Sequence, residues 1–584
     1  MNVLLDTRLP RTLDAWVQSM LADGRPGLRI DAWLFEGLAA RRAAEQRLAE
    51  AGIAARFHSA YKPLVHHFQE EVDLAGLASV TVHCPVHPMA SARRFALEAY
   101  PLAEMLAGVE LQLVPQTPSE ATPCHEIELR WHDGRQRTDW VFAPNRVHQD
   151  VLFNTLLSPC AWMKITQGEA PVTDGARPSD YEALFRLAMD TLRQHPWPAT
   201  EPCFERLDIR IDLPGVAATA ESGAPWVDLH EALHEDLYFS LLELFQQRSG
   251  RPPGDRRLQP GQIVPDVRVS EGEVGLRIGL REYPAPIADE AAANDMPLDR
   301  ITAPLGFARI AQELAGIPGQ RFEATSRQGR AVVGIYHPGA GPAVIVSGGQ
   351  HANETSGVVG ALRAARHLAA QPDAHFALIA LENPDGYALH RELCAHSPQH
   401  MHHAARYTAL GDDVEYREHA PFHEREARYE ALRLSGAALH INLHGYPAHE
   451  WTRPLSGYLP RGFELWTVPK GFFLILRYRK GWADTARRLA EHVCGRLAER
   501  LELMAFNAAQ LATYNTHAGE LPFEVIHGTA CSLSEVDRPG PALTLITEFP
   551  DETIYGGSFV FAHDTQTAAV LAAVEAIGLI SPSP

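Results

Sequence analysis

Several side chains of the kinds that bind metal ions or move protons follow short apolar runs in the C-terminal half of the sequence. AVIVS (343–347) leads into GGQHANETSG, which carries His351 and Glu354 behind a Gly-Gly turn. ALHINLH (438–444) ends on His444, followed by Gly445, and LTLITEF (543–549) carries Glu548 near its end. FALIAL (376–381) runs into ENPDGY (382–387), whose Asn-Pro-Asp-Gly chemistry marks a turn. Two imidazoles and one carboxylate are a standard ligand set for a catalytic zinc, with the fourth position left to water. A further carboxylate that does not bind the metal can take the proton from that water. His-x-x-Glu alone says little in a chain with 29 histidines, because it recurs at His67, His125, His423 and His517. The apolar run and Gly-Gly turn before His351, and the suitable groups at the other run ends, set it apart.

These residues need elements that bring them together. From about residue 301, short apolar runs alternate with helical stretches over about 355–370, 484–503 and 564–578. That pattern predicts an α/β domain whose largely parallel sheet is covered on both faces, with its chemistry at the carboxyl ends of the strands. Upstream, the texture is α+β. A helix is expected over 35–51 and a strand over 78–86, with a hairpin over 124–142 turning at Asp133-Gly134. A second region, about 151–300, carries a helix at 180–194, a strand at 205–213 and a long helix at 229–248 that Asp228 can cap. Its Pro/Gly/Arg-rich stretch 248–262 looks like a linker or mobile loop. The chain is thus divided into 1–150, 151–300 (possibly one domain with the first) and 301–584.

The motifs GGQHANETSG, ENPDGY, INLHG and ITEFP, in this order, resemble the M14 family of zinc carboxypeptidases, whose wider group includes deacylases of the succinylglutamate desuccinylase and aspartoacylase type. The resemblance spans roughly 305–584. It implies an α/β/α fold, one zinc, and hydrolysis of an amide next to a carboxylate-bearing residue. His351, Glu354 and His444 would be the ligands and Glu548 the general base and acid. The family's carboxypeptidases hold the substrate carboxylate with an Asn-Arg pair and another arginine. No Asn-Arg pair lies between ENPDGY and INLHG, where HHAARYTALGDDVEYR offers Arg406 and Arg417 instead, with Arg391 nearer the turn. Arginine suits bidentate carboxylate binding, so Arg406 and Arg417 are the expected substrate contacts. Tyr514 is a poorly spaced candidate for the family's tyrosine. Residues 455–530, including GFFLIL (471–476), look like an insertion that shapes the pocket.

Three other histidine groups invite a metal reading. HEALH (230–234) is a literal HExxH, but it continues into the charged HEALHED run, which fits a buried metal helix poorly, and no third ligand stands at a recognisable spacing. His83 and His87 have strand-like spacing around Cys84 and Pro85. HMHHAAR (400–406) suits a polar surface or a role behind the ligands.

Composition narrows the alternatives. The chain has 584 residues, 46% apolar and 21% charged, as in ordinary globular proteins. Its net charge of −20 argues against nucleic acid, whose phosphates it would repel. No run approaches about 18 apolar residues, so no membrane span is expected. The start, MNVLLDTRLPRTLDAW, does not read as a signal peptide. Seven scattered cysteines without a CxxC pair fit reduced thiols in the cytoplasm. The leading expectation is a cytoplasmic zinc carboxypeptidase acting on peptides. A zinc amidohydrolase of N-acyl amino acids and a binding or scaffold protein with an inert zinc domain stand as alternatives. An oligomer is possible but has no sequence support.

Overall fold

The structure, a computed structural model, describes residues 2–23, 27–214, 228–284 and 296–580. Its C-terminal half is built on a mixed nine-stranded sheet. In chain order the strands are β1 (Gln320–Thr325), β2 (Ala331–His337), β3 (Val344–Gly348), β4 (Phe376–Ile379), β5 (Leu439–Pro447), β6 (Phe473–Tyr478), β7 (Glu524–Ile526), β8 (Thr529–Glu535) and β9 (Leu543–Glu552). Their spatial order is β1-β2-β4-β3-β5-β9-β6-β8-β7. The middle strands β4, β3, β5 and β9 are mutually parallel, and antiparallel pairs flank them. The four apolar runs read from the sequence are these four middle strands. β3, β4 and β5 are buried along their whole lengths, as expected when helices cover both faces.

Helices α1 (Ser356–Ala369), α4 (Ala483–Ala498) and α6 (Gly557–Ile580) share one large apolar core with the sheet. Helix α3 (Glu426–Ser435) packs on the other face through Ala427 and Ala431. Helix α2 (Pro384–Cys394) begins at the ENPDGY turn, where the Asn383 side chain accepts from Gly386 N–H. The single helix expected over 484–503 ends at Ala498, and α5 (Leu501–Ala518) begins after a break. GFFLIL is not confined to an insertion. Most of it forms β6, an interior strand between β9 and β8.

Upstream, the helices Asp180–Gln194 and Leu229–Arg248 form where expected, the second capped by the Asp228 carboxylate. The expected hairpin pairs Cys124–Trp131 with Gln136–Phe142. Two four-stranded sheets draw strands from both sides of residue 150: Asn2–Leu9 pairs with Val274–Arg281, and Leu28–Leu34 pairs with Ala161–Gln167. Among the described residues no helix is long and apolar enough to cross a membrane.

The stretch 248–262, expected to be a linker or mobile loop, is instead fastened to the C-terminal half. Gly261 N–H donates to Leu410 O, Asp413 N–H donates to Arg256 O, and the Gln259 amide donates to Asp412. Its prolines and glycines break regular structure without freeing the chain, because its backbone groups find partners across the junction.

Candidate metal centre

β3, β5 and β9 end side by side and present the site. After β3 the chain turns at Gly349, whose φ is +64° and where a Cβ would meet Leu381 at 2.7 Å. Only glycine takes that turn without strain and with room to spare. The turn delivers His351 and Glu354 ahead of α1, whose first N–H, from Ser356, is held by Asp551 at 2.9 Å. His444 lies near the end of β5, with Glu548 directly opposite it in the β5–β9 register. Gly445 follows because a Cβ there would overlap the Asp551 carboxylate at 1.8 Å.

His351, Glu354 and His444 converge. His351 Nδ1 lies 2.8 Å from Glu354 Oε1, and His444 Nδ1 lies 2.9 Å from Glu354 Oε2 and 3.0 Å from His351 Nδ1. Among the described residues this is the one group of three or more such side chains whose donor atoms cluster in this way. The far sides of both rings are occupied. His351 Nε2 faces Asp413 Oδ2 at 3.2 Å, and His444 Nε2 faces Gln350 Oε1 at 3.2 Å. Both partners are acceptors, so both Nε2 carry the proton and both Nδ1 lone pairs turn inward. Gln350 is itself fixed: it donates to Asp413 at 2.7 Å and accepts from Arg428 at 2.5 Å and Asn442 at 2.8 Å.

This donor set fits zinc. Ligands about 2.0–2.1 Å from a tetrahedral ion lie about 3.3 Å from one another, close to the separations here, and two inward nitrogen lone pairs beside a carboxylate have no good reason to meet without a cation. The hydrogen-bonded rings are the usual supporting arrangement around such ligands.

Charge and burial tune these groups. Burial alone would raise Glu354, but its contacts with His351, the Arg406 guanidinium and His444 override it and hold the carboxyl well below the usual range. Burial likewise opposes ionisation of Asp413, and His351 and Arg256 overcome it. His444 is lowered by burial. Glu548, 7% exposed, is pushed well up by burial and then by the Glu354 charge, with Arg406 and Lys470 pulling the other way. Glu548 opens onto the same cavity as both histidines, walled by the aromatic rings of Tyr446, Trp451, Phe463 and Trp466.

The two expected substrate arginines part company. Arg406 lines the cavity, but its Nη1 donates to Glu354 at 2.5 Å. Arg417 is 2% exposed and away from the cavity lining. Its guanidinium is spent on Asp412, Glu424, Thr408 and the Phe422 carbonyl. The expectation for Arg417 is corrected: two buried carboxylates claim its fork before a substrate can. Tyr514 also lies outside the cavity lining, packed near Tyr100 and Tyr458.

The histidine decoys have structural roles. The HEALHED segment is buried, charges included, contrary to the expectation that adjacent charges would keep it from burial. The charges are matched across the junction between halves. His449 meets Glu231 at 2.8 Å and His400 meets Asp228 at 2.9 Å, whereas burial pushes Glu235 well up and its neighbour His403, at 2.5 Å, well down, so that contact joins neutral groups. HMHHAAR is the buried partner surface of that helix, not a polar exterior. His83 faces Glu128 at 3.5 Å, and His87 accepts from Met89 N–H.

Gln350, Asp413, Arg256 and Lys470 were not singled out in the sequence. Gln350 could have been, since it directly precedes His351. The other three reach the site from remote segments with no local signal.

No protein-family model and no curated protein matches the chain. Among solved structures it is similar to a putative metallopeptidase from Shewanella denitrificans OS217, at 16% identity and TM-score 0.30 over 47% of this chain and 90% of that one. It is also similar to a metallo-carboxypeptidase from Burkholderia cenocepacia, at 12% identity and TM-score 0.28 over 54% of this chain and 77% of that one. A succinylglutamate desuccinylase/aspartoacylase from Rhodobacter sphaeroides is similar at 14% identity and TM-score 0.25, over 49% of this chain and 71% of that one. Their descriptions fall in the peptidase and deacylase classes that the ordered motifs resemble; the assignment of the site stands on its own geometry.

Proposed function

We propose that the chain is a zinc-dependent metallohydrolase that cleaves an amide bond next to a carboxylate-bearing residue, as a carboxypeptidase acting on peptides. The observation that carries this reading is the convergence of His351 Nδ1, His444 Nδ1 and the Glu354 carboxylate within 3.0 Å, beside Glu548 in one cavity. His351, Glu354 and His444 would hold a divalent zinc, which would supply Lewis acidity and lower the pKa of a bound water toward about 7. Glu548, opposite His444 and outside the donor set, accepts the proton of the attacking water and returns it to the leaving nitrogen, which would otherwise depart as an unstable anion. Asp413 and Gln350 keep both rings in the Nδ1-inward tautomer. The aromatic walls limit water at the reacting carbonyl and hold the substrate's apolar part.

The test is metal content and hydrolysis on one preparation. Wild type should carry about one zinc per chain and cleave peptides from the C-terminus. His444→Ala should lose most of its zinc, since one of three protein ligands is gone. Full occupancy in that variant refutes the site. Cleavage of N-acyl amino acids with peptides left intact would move the activity to the deacylase class.

A further inference from the structure

We propose that Arg256, supplied by the N-terminal half, grips the carboxylate of the substrate, so that the active site is shared between the two halves of the chain. This rests on the hydrolase reading above and names the residue and the half that select the substrate.

The cavity beside the metal ligands is lined by three arginines: Arg256, Arg406 and Arg477. Arg406 is committed to Glu354 at 2.5 Å and is pressed among buried groups. Arg477 lies on β6 opposite Thr544, whereas Glu548 lies opposite Phe473. Four residues of strand separate the two levels, about 13 Å at about 3.3 Å per residue, so Arg477 is too far down the cavity to hold a group next to the scissile amide. Arg256 remains. Its nearest acid, Asp413 Oδ2, is 3.8 Å from Nη1, beyond hydrogen-bond distance, and its side chain is 25% exposed. That same Asp413 carboxylate contacts His351, so one side chain separates Arg256 from a metal ligand.

The guanidinium is held in place without being used up. Its centre lies 5.3 Å from the Phe463 ring and 5.8 Å from the Tyr416 ring. Its backbone carbonyl accepts from Asp413 N–H at 3.0 Å, which fixes the loop from the other side. A positioned, ring-flanked guanidinium with open donors is the arrangement that recognises a carboxylate by two parallel hydrogen bonds. Arg256 belongs to the 248–262 stretch, so the fastening of that loop to the C-terminal half is also what brings the recognition group to the site.

The experiment compares the twenty N-acetyl amino acids with their amides. It measures binding by calorimetry on the zinc-loaded protein and, for the matching peptides with free or amidated C-termini, kcat/KM. Wild type should prefer acid over amide by about 10- to 100-fold, the worth of a charge-assisted pair of hydrogen bonds. Arg256→Ala should bring that ratio to near one, mainly through binding and KM, with zinc content at the wild-type level. Arg256→Lys should recover only part of the ratio, since an ammonium lacks the planar fork. Arg477→Ala should leave the ratio as in wild type. No acid preference in wild type, or a preference that survives Arg256→Ala, overturns the proposal. If zinc-loaded wild type cleaves none of the peptides, the hydrolase reading falls, while the calorimetric ratio still decides whether Arg256 holds a carboxylate.

Discussion

Replacing Lys470 with methionine probes the electrostatics behind Glu548. Lys470 is 1% exposed, and its ammonium meets no acceptor among the described residues. The rings of Tyr446, Trp466, Phe473 and Tyr514 surround it at 4.8–5.6 Å. Burial pulls it from a lysine's ordinary 10.5 down to about 7, against the attraction of Glu548. At about 1.4 kcal/mol per tenfold change in proton affinity, that drop is worth about 5 kcal/mol. Between pH 7 and 10.5 the unfolded chain keeps a proton that the folded chain has shed, so rising pH stabilises the fold across that window; below pH 7 both states are charged and the full cost remains. Methionine keeps the stem and removes the charge, while losing the ring–cation attraction gives back about 1–2 kcal/mol. Lys470→Met should therefore be more stable than wild type by about 3 kcal/mol at pH 6, with the difference fading to near zero by pH 9. Urea unfolding at pH 6, 7, 8 and 9 measures this. Parallel pH curves, or a variant less stable at every pH, would refute a buried ammonium. The same substitution removes a charge that favours ionised Glu548, so the acid limb of kcat/KM should move to higher pH in the more stable protein.

Glu548→Gln should keep its zinc and its substrate binding while turnover falls on the order of 10²-fold or more, as acid–base catalysis demands; turnover within about threefold of wild type would send the search for the base elsewhere. Arg417→Ala should lower stability by about 3–5 kcal/mol, because it strands Asp412 and Glu424 in the interior. It should leave the acid-over-amide ratio alone, and denaturant unfolding together with that ratio checks both halves of the statement.

What was legible in the sequence was what is local. AVIVS, FALIAL, ALHINLH and LTLITEF read as strands because parallel strands buried on both faces are continuous apolar runs, and the polar residues at their ends stand out against them. Arg417 looked as available as Arg406 because a sequence shows a guanidinium but not the buried Asp412 and Glu424 that consume it. The 248–262 stretch looked free because Pro and Gly report the lack of regular structure, not the presence of partners 150 residues away. HEALHED looked too charged to bury because its counter-charges, His449 and His400, lie in another part of the chain.

The Leu229–Arg248 helix is buried from Leu229 to Gln246, and it meets the C-terminal half through charges as well as apolar surface. Arg453 is held by Glu243 at 2.6 Å, and Asp236 accepts from Leu455 N–H at 2.5 Å. A fragment beginning near residue 301 would carry His351, Glu354, His444 and Glu548 and still be a poor miniature of the whole chain. Its Arg453, His449 and His400 would face solvent without their acids, and the groove that receives the helix would become an adhesive wall. Gene fusions, truncations and swaps between related chains would have to carry both halves together, since the seam between them cannot be recut without redesigning the ionic contacts on each side.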